Sequence, residues 1–138
     1  MSWTFFTDRD LGEQFPAFLK EAGFSIERHA DHFKHNEKDE VWLRVIAKRG
    51  WVILTHDQRI RYKVNEKEAV LLSRARMLVV IAKLPYPDLA RGVVNTHRRI
   101  LAFLDRTPAP FIAKIYQPAS VVLLRNPQAS GRLELRLP

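Results

Sequence analysis

The chain has no cysteine among its 138 residues. Disulfides, thiolate metal sites and cysteine nucleophiles are thereby excluded, and a reducing compartment is compatible. It also lacks any apolar run approaching the roughly 20 residues that a membrane span requires. No basic segment leads into an apolar stretch near the N-terminus, and Asp8 and Asp10 interrupt that region early. No secretory signal is therefore expected, and the chain reads as soluble and cytoplasmic, with no membrane partner. Internal repeats and low-complexity linkers are absent as well, and the length is that of one domain with a real core. Acidic residues become scarce after position 57: residues 58–138 hold 15 Lys/Arg against 5 Asp/Glu, whereas residues 1–57 hold 8 against 10. The formal charge of +8 thus sits in the second half, and such a surface attracts polyanions.

Hydrophobic patterning organises the rest. Residues 3–7 read as a short buried strand. Leu11, Phe15, Phe18, Leu19 and Ala22 recur at helical spacing up to Gly23, with Pro16 delaying or kinking the helix. Phe24-Ser25-Ile26 begins a weaker strand, and residues 29–37 read as a polar, His-rich loop. Asn36 followed by Asp39 resembles a capping box for a helix that runs to about Arg49 and is ended by Gly50. Residues 51–55 form a strong strand. Asn65 with Glu68 marks a helix to about Arg74, before the apolar strand Met77–Ile81. After Pro85-Tyr86-Pro87 the spacing predicts one long helix over about residues 88–105, stopped by Pro108 and Pro110. Short strands are predicted at 111–116, 120–124 and 132–136, with turns at Asn126-Pro127 and Ser130-Gly131.

Alternating strands and helices predict an α/β, doubly wound, mainly parallel sheet with flanking helices. Right-handed crossovers with one reversal of winding give the strand order 2-1-3-4. A single domain is expected over 1–138, with a core at 1–105 and a β-rich C-terminal extension at 106–138.

Three acidic positions stand out in that frame. Asp8 follows the first strand, Asp39-Glu40 open a helix, and Asp57 follows the 51–55 strand. In the order 2-1-3-4 the first and third strands are neighbours, so Asp8 and Asp57 flank the crevice where open α/β sheets bind ligands. Carboxylates converging there repel one another unless a hard divalent cation sits between them. Trp42, Leu43, Val45, Ile46 and Ala47 make the apolar face of the intervening helix, with Asp39 near its centre and Glu40 at its edge. The residues alone leave Asp39 open between a helix cap and a metal ligand, and Asp8 and Asp57 between turn residues and ligands. Arg59, Arg61 and Lys63 alternate just past Asp57. If extended, they present one basic face able to hold phosphates without reading sequence; a solvated basic turn is the plain alternative.

The run Phe5-Phe6-Thr7-Asp8-Arg9-Asp10-Leu11-Gly12, the run Asp39-Glu40-Val41-Trp42-Leu43, and the run from Gly50-Trp51 through Thr55-His56-Asp57-Gln58-Arg59-Ile60-Arg61 together resemble the PIN-like family of VapC-type toxins. Order and spacing agree over residues 5–61, and more weakly through Met77–Ile81 and Phe111-Ile112-Ala113. The resemblance implies a PIN-like fold and a Mg²⁺- or Mn²⁺-dependent endoribonuclease that hydrolyses RNA with a metal-activated water. It implies Asp8, Asp39, Glu40 and Asp57 as metal-binding, catalytic acids, and Arg59, Arg61 and Lys63 as RNA contacts. A cognate antitoxin and a homodimer are its expected partners. For a fourth acid, Asp10, Glu66 and Glu68 are candidates. The alternative within the same fold is a catalytically silent module that binds nucleic acid or protein.

Other residues carry plainer readings. His29, His32, His35 and Glu37 lack the helical pairing or cysteines of a zinc site and read as a polar loop. His56 reads as an exposed strand-end histidine, His97 as a core histidine on an apolar helical face, and Tyr62 as a packing residue that could stack on a base. Asp8-Arg9-Asp10 also resembles the Asp-x-Asp signature of haloacid-dehalogenase-like phosphatases, whose first aspartate is a nucleophile. The later acidic pair of that family is missing after Met77–Ile81, where Ala82-Lys83-Leu84 stand.

Overall fold

The computed structural model describes residues 3–56, 64–81, 85–116 and 130–137. Asp57, Arg59, Arg61, Tyr62, Lys63, the strand expected at 120–124 and the Asn126-Pro127 turn lie outside the described residues, as does the side chain of Glu66.

Among the described residues six strands form one sheet: β1 (Thr4–Thr7), β2 (Ser25–Arg28), β3 (Val52–Thr55), β4 (Arg76–Ile81), β5 (Phe111–Tyr116) and β6 (Arg132–Leu137). Their order is β2-β1-β3-β4-β5-β6. Every pair is parallel except β5 with β6. The expected 2-1-3-4 core is therefore present, and the mainly parallel α/β architecture holds. Between the strands lie a 3₁₀ turn (Arg9–Leu11) and helices α1 (Gln14–Glu21), α2 (His29–His32), α3 (Asp39–Arg49), α4 (Val64–Ser73), α5 (Tyr86–Asn95) and α6 (His97–Arg106).

The continuous apolar runs become strands because both faces of a parallel sheet are covered. Phe5, Val52, Leu54, Leu78, Val80 and Ala113 turn to one face, against Phe15 and Leu19 of α1, Leu89 and Val93 of α5, and Ile100 and Phe103 of α6. Phe6, Ile53, Met77, Val79 and Ile112 turn to the other, against Trp42, Leu43 and Ile46 of α3 and Val70 of α4. Full burial of each such side chain contributes about 1.5–3 kcal/mol before conformational entropy is subtracted. Gly50 ends α3 in the left-handed region at φ 72°, a conformation that needs no Cβ.

Three local expectations are corrected. The helix expected over 88–105 is two helices, divided at Thr96, whose hydroxyl donates to Gly92 O at 2.7 Å and accepts from Gly131 N at 2.9 Å. Tyr86 and Pro87 lie inside the first turn of α5, where a missing N–H is tolerated. Pro16 likewise sits in the first turn of α1, and the helix starts late, at Gln14, as one of the two readings of Pro16 expected, with Leu11 in the separate 3₁₀ turn. The capping box at Asn36 and Asp39 does not form, since Lys38 precedes α3 without a side-chain cap, and Asn65 lies within α4 rather than before it.

Candidate active site

β1 and β3 end side by side. Thr7 is in register with Leu54, and the Asp8 amide donates to Leu54 O at 3.0 Å. β2 lies on one side of β1 and β3 on the other, so the winding reverses at this point and leaves a crevice past the strand ends. Asp8 caps the 3₁₀ turn that begins there: its Oδ1 accepts from the Arg9 amide at 2.7 Å. The turn carries Asp10 back over β3. Asp10 Oδ2 accepts from Thr55 Oγ1 at 3.0 Å and from the His56 amide at 3.0 Å, and Thr55 Oγ1 stands 3.4 Å from Asp8 Oδ2. The Tyr86 hydroxyl, at the start of α5, donates to the Asp10 carbonyl oxygen.

Asp39 comes from α3. It occupies the first turn of that helix, exposed rather than at the centre of the buried face, and it does not cap it. The buried Trp42 indole N–H donates to its Oδ1 at 3.0 Å. One helical turn thus fixes the carboxylate through a side chain that is itself fixed in the core. The Asp8 carboxyl is pushed up to about 7, first by burial, then by the charge of Asp10, and also by that of Asp39, against the lowering hydrogen bonds from the Arg9 amide and Thr55. Asp8, Asp10 and Asp39 therefore share one electrostatic environment.

The other expected site residues divide. Glu40 is exposed and lines a groove between α3 and α4 with Arg44 and Glu68. Asp57, Arg59, Arg61 and Lys63 lie outside the described residues. Of the candidates for a fourth acid whose side chains are described, Asp10 and Glu68, the structure brings Asp10 to Asp8. Among the described residues no three His, Asp or Glu side chains are already gathered as a metal cage. The donors present nevertheless suit a hard divalent cation. They are carboxylate oxygens, and the Asp8 carboxyl is driven toward its neutral form by burial first and then by the charges of Asp10 and Asp39, a penalty that a cation would relieve.

The histidines have separate settings. His29 is buried, and its ring packs on Phe6, Phe33 and Trp42. His32 pairs with Glu27 at 2.7 Å. His56 is half-buried rather than exposed, and its Nδ1 donates to Val80 O at 2.7 Å. His97, half-buried, donates from Nδ1 to Val94 O and meets Phe24 edge-on.

Thr55 and the Arg9–His29 contact were missed by sequence reasoning. Only the position of Thr55 as last residue of a buried strand could have signalled it. A cleft of about 320 Å³ opens beside Asp8, walled by Arg9, Glu13, Arg28, His29 and His35. A more apolar groove of about 260 Å³, walled by Trp3, Phe24 and His97, has no carboxylate on its lining.

Residues 3–82 match a family model described as "PIN like domain". That span contains β1 to β4 and all of the acids above. No curated protein and no solved structure matches the chain.

Proposed function

The chain belongs to the PIN-like domain family, and on that premise we propose that it is a metal-dependent endoribonuclease, the toxin of a toxin–antitoxin pair. The observation that carries the reading is the convergence at the strand switch point: Asp8 and Asp10 reach the same Thr55 hydroxyl, and Asp39 adds its charge to Asp8. Asp8, Asp39 and Asp57 would hold Mg²⁺ or Mn²⁺. Asp10, tied to Thr55 and to the His56 amide, sets the approach of β1 to β3. Glu40, facing the α3–α4 groove, has an outer role at most.

A bound cation supplies water activation and charge neutralisation for phosphodiester hydrolysis. The chain's own residues do the rest. Trp42 orients Asp39, Thr55 orients Asp10, and burial keeps Asp8 poised between protonated and ionised forms near neutral pH. Arg59, Arg61 and Lys63 follow Asp57 and supply positive charge for flanking phosphates. The antitoxin and a second copy of the chain are the proposed protein partners.

Purified protein should cut single-stranded or structured RNA with Mn²⁺, and lose that activity with EDTA or with Asp57→Asn. RNA that is bound but left intact would instead identify a silent binding module. Growth arrest on expression in a bacterial host, relieved by Asp57→Asn, tests the toxin role. Unimpaired growth with soluble wild-type protein present would argue against it.

A further inference from the structure

We propose that Arg9 builds a phosphate subsite in the cleft beside Asp8, taking a backbone phosphodiester of the bound nucleic acid next to the one that is cut; the inference takes its ligand class from the nuclease reading above. The guanidinium leaves the chain immediately after Asp8 and is held in place at two points. Its Nε donates to His29 Nδ1 at 2.8 Å and its Nη2 to Phe33 O at 2.7 Å. Both partners are uncharged acceptors. His29 is only 3 % exposed and wedged between aromatic rings. Burial, and then the Arg9 charge itself, lower its pKa, which keeps the ring neutral. Because an arginine can only donate, the Arg9 bond also fixes the proton of that ring on Nε2.

The positive charge of Arg9 is therefore positioned without being neutralised. Among the described residues no carboxylate lies within ion-pair distance of it, although Glu13 shares the same cleft. Arg28, on the same cleft wall, is the contrast: its Nε and Nη2 engage both oxygens of Asp31 at 2.9 and 2.8 Å. An arginine that serves only to fasten a loop gains most by meeting a carboxylate. Arg9 instead has two neutral anchors and three N–H groups left over, enough for a two-bond fork onto a phosphate. The cleft of about 320 Å³ that contains it also contains Asp8, so a strand whose scissile phosphate sits at Asp8 can run its neighbouring phosphate along this wall.

The test uses the full chain in EDTA with a 2′-O-methyl oligoribonucleotide, which is not cut. A neutral methylphosphonate replaces each linkage in turn, and affinity is measured for wild type, Arg9→Gln and Arg9→Lys. The expected result is one linkage whose neutralisation weakens wild-type binding about tenfold, with Arg9→Gln losing about as much and showing no further loss at that linkage. Arg9→Lys keeps the charge but not the fork and should recover only part of the affinity, which covers the case of a poorly folded glutamine variant. A wild-type profile with no sensitive linkage, or an Arg9→Gln loss spread equally over all linkages, would overturn the subsite. Cleavage of natural RNA with Mn²⁺ is scored separately. Intact RNA alongside a linkage-specific Arg9 effect would sink the nuclease reading and leave the subsite standing.

Discussion

Thr55 Oγ1 donates to Asp10 Oδ2 at 3.0 Å, across 45 positions of sequence, and so fastens the turn after β1 to the last residue of β3. The same hydroxyl lies 3.4 Å from Asp8 Oδ2, and its bond to Asp8 is one of the two influences that lower that carboxyl. Thr55→Val keeps the shape and removes the donor. It should cost about 1–2 kcal/mol in stability, because Asp10 loses a buried partner. It should also raise the Asp8 carboxyl further, so the low-pH limb of metal-dependent cleavage moves to higher pH. A limb that stays in place would show that Thr55 does not couple to Asp8.

Asp8 links stability to pH. Its carboxyl titrates at about 7 in the folded chain against 3.8 for an unperturbed aspartate. The folded state binds more protons between those values, so without metal the stabilising contribution is complete below about pH 4 and is lost as pH rises to about 7. Asp8→Asn abolishes that slope. In EDTA at about pH 8 it should be more stable than wild type by on the order of 2–4 kcal/mol, with the advantage vanishing near pH 4. A melt in which the mutant is the less stable protein at pH 8 would remove the case for crowded carboxylates.

Protons and metal compete for the same group. At limiting Mn²⁺, activity should rise with pH through about 7, as Asp8 ionises. Raising the metal concentration tenfold should shift that limb about one pH unit lower. Rate–pH profiles at several metal concentrations check this, and a limb independent of metal would exclude Asp8 as a ligand.

Trp42 acts on the site through Asp39. Phenylalanine fills most of the same space but cannot donate to Asp39 Oδ1. Trp42→Phe should cost about 1–3 kcal/mol of stability from lost volume in a fully packed core. It should also weaken Mn²⁺ binding severalfold, measured by calorimetric titration below the melting range. Unchanged Mn²⁺ affinity would leave the indole a purely structural role.

The strand framework was legible because its signal is local. Val52–Leu54 and Met77–Ile81 are unbroken apolar runs, and a sheet covered on both faces accommodates such runs as strands. Asp8 was legible as a residue just past a strand, and α3 from Asp39 to Gly50. What the sequence hid depends on partners far along the chain. Thr96 divides the long helix while bonded to Gly131, 35 positions away. His29 looked like part of a polar loop, yet it is buried because Arg9 satisfies its ring nitrogen and Phe6, Phe33 and Trp42 surround it. Asp10 stood beside Asp8 in sequence, but only the return of the turn over β3 distinguishes it from Glu68, which faces another groove.

One divalent cation gripped jointly by Asp8, Asp39 and Asp57 at the β1–β3 switch point is the proposed centre of the molecule's chemistry. Crystals of the chain soaked in manganese chloride, read in an anomalous difference map, test it most directly. The expected result is a peak bound by carboxylate oxygens of Asp8 and Asp57, with Asp39 reaching it directly or through water. A clean map with no peak in that crevice, and Asp57 directed away from Asp8, would contradict it.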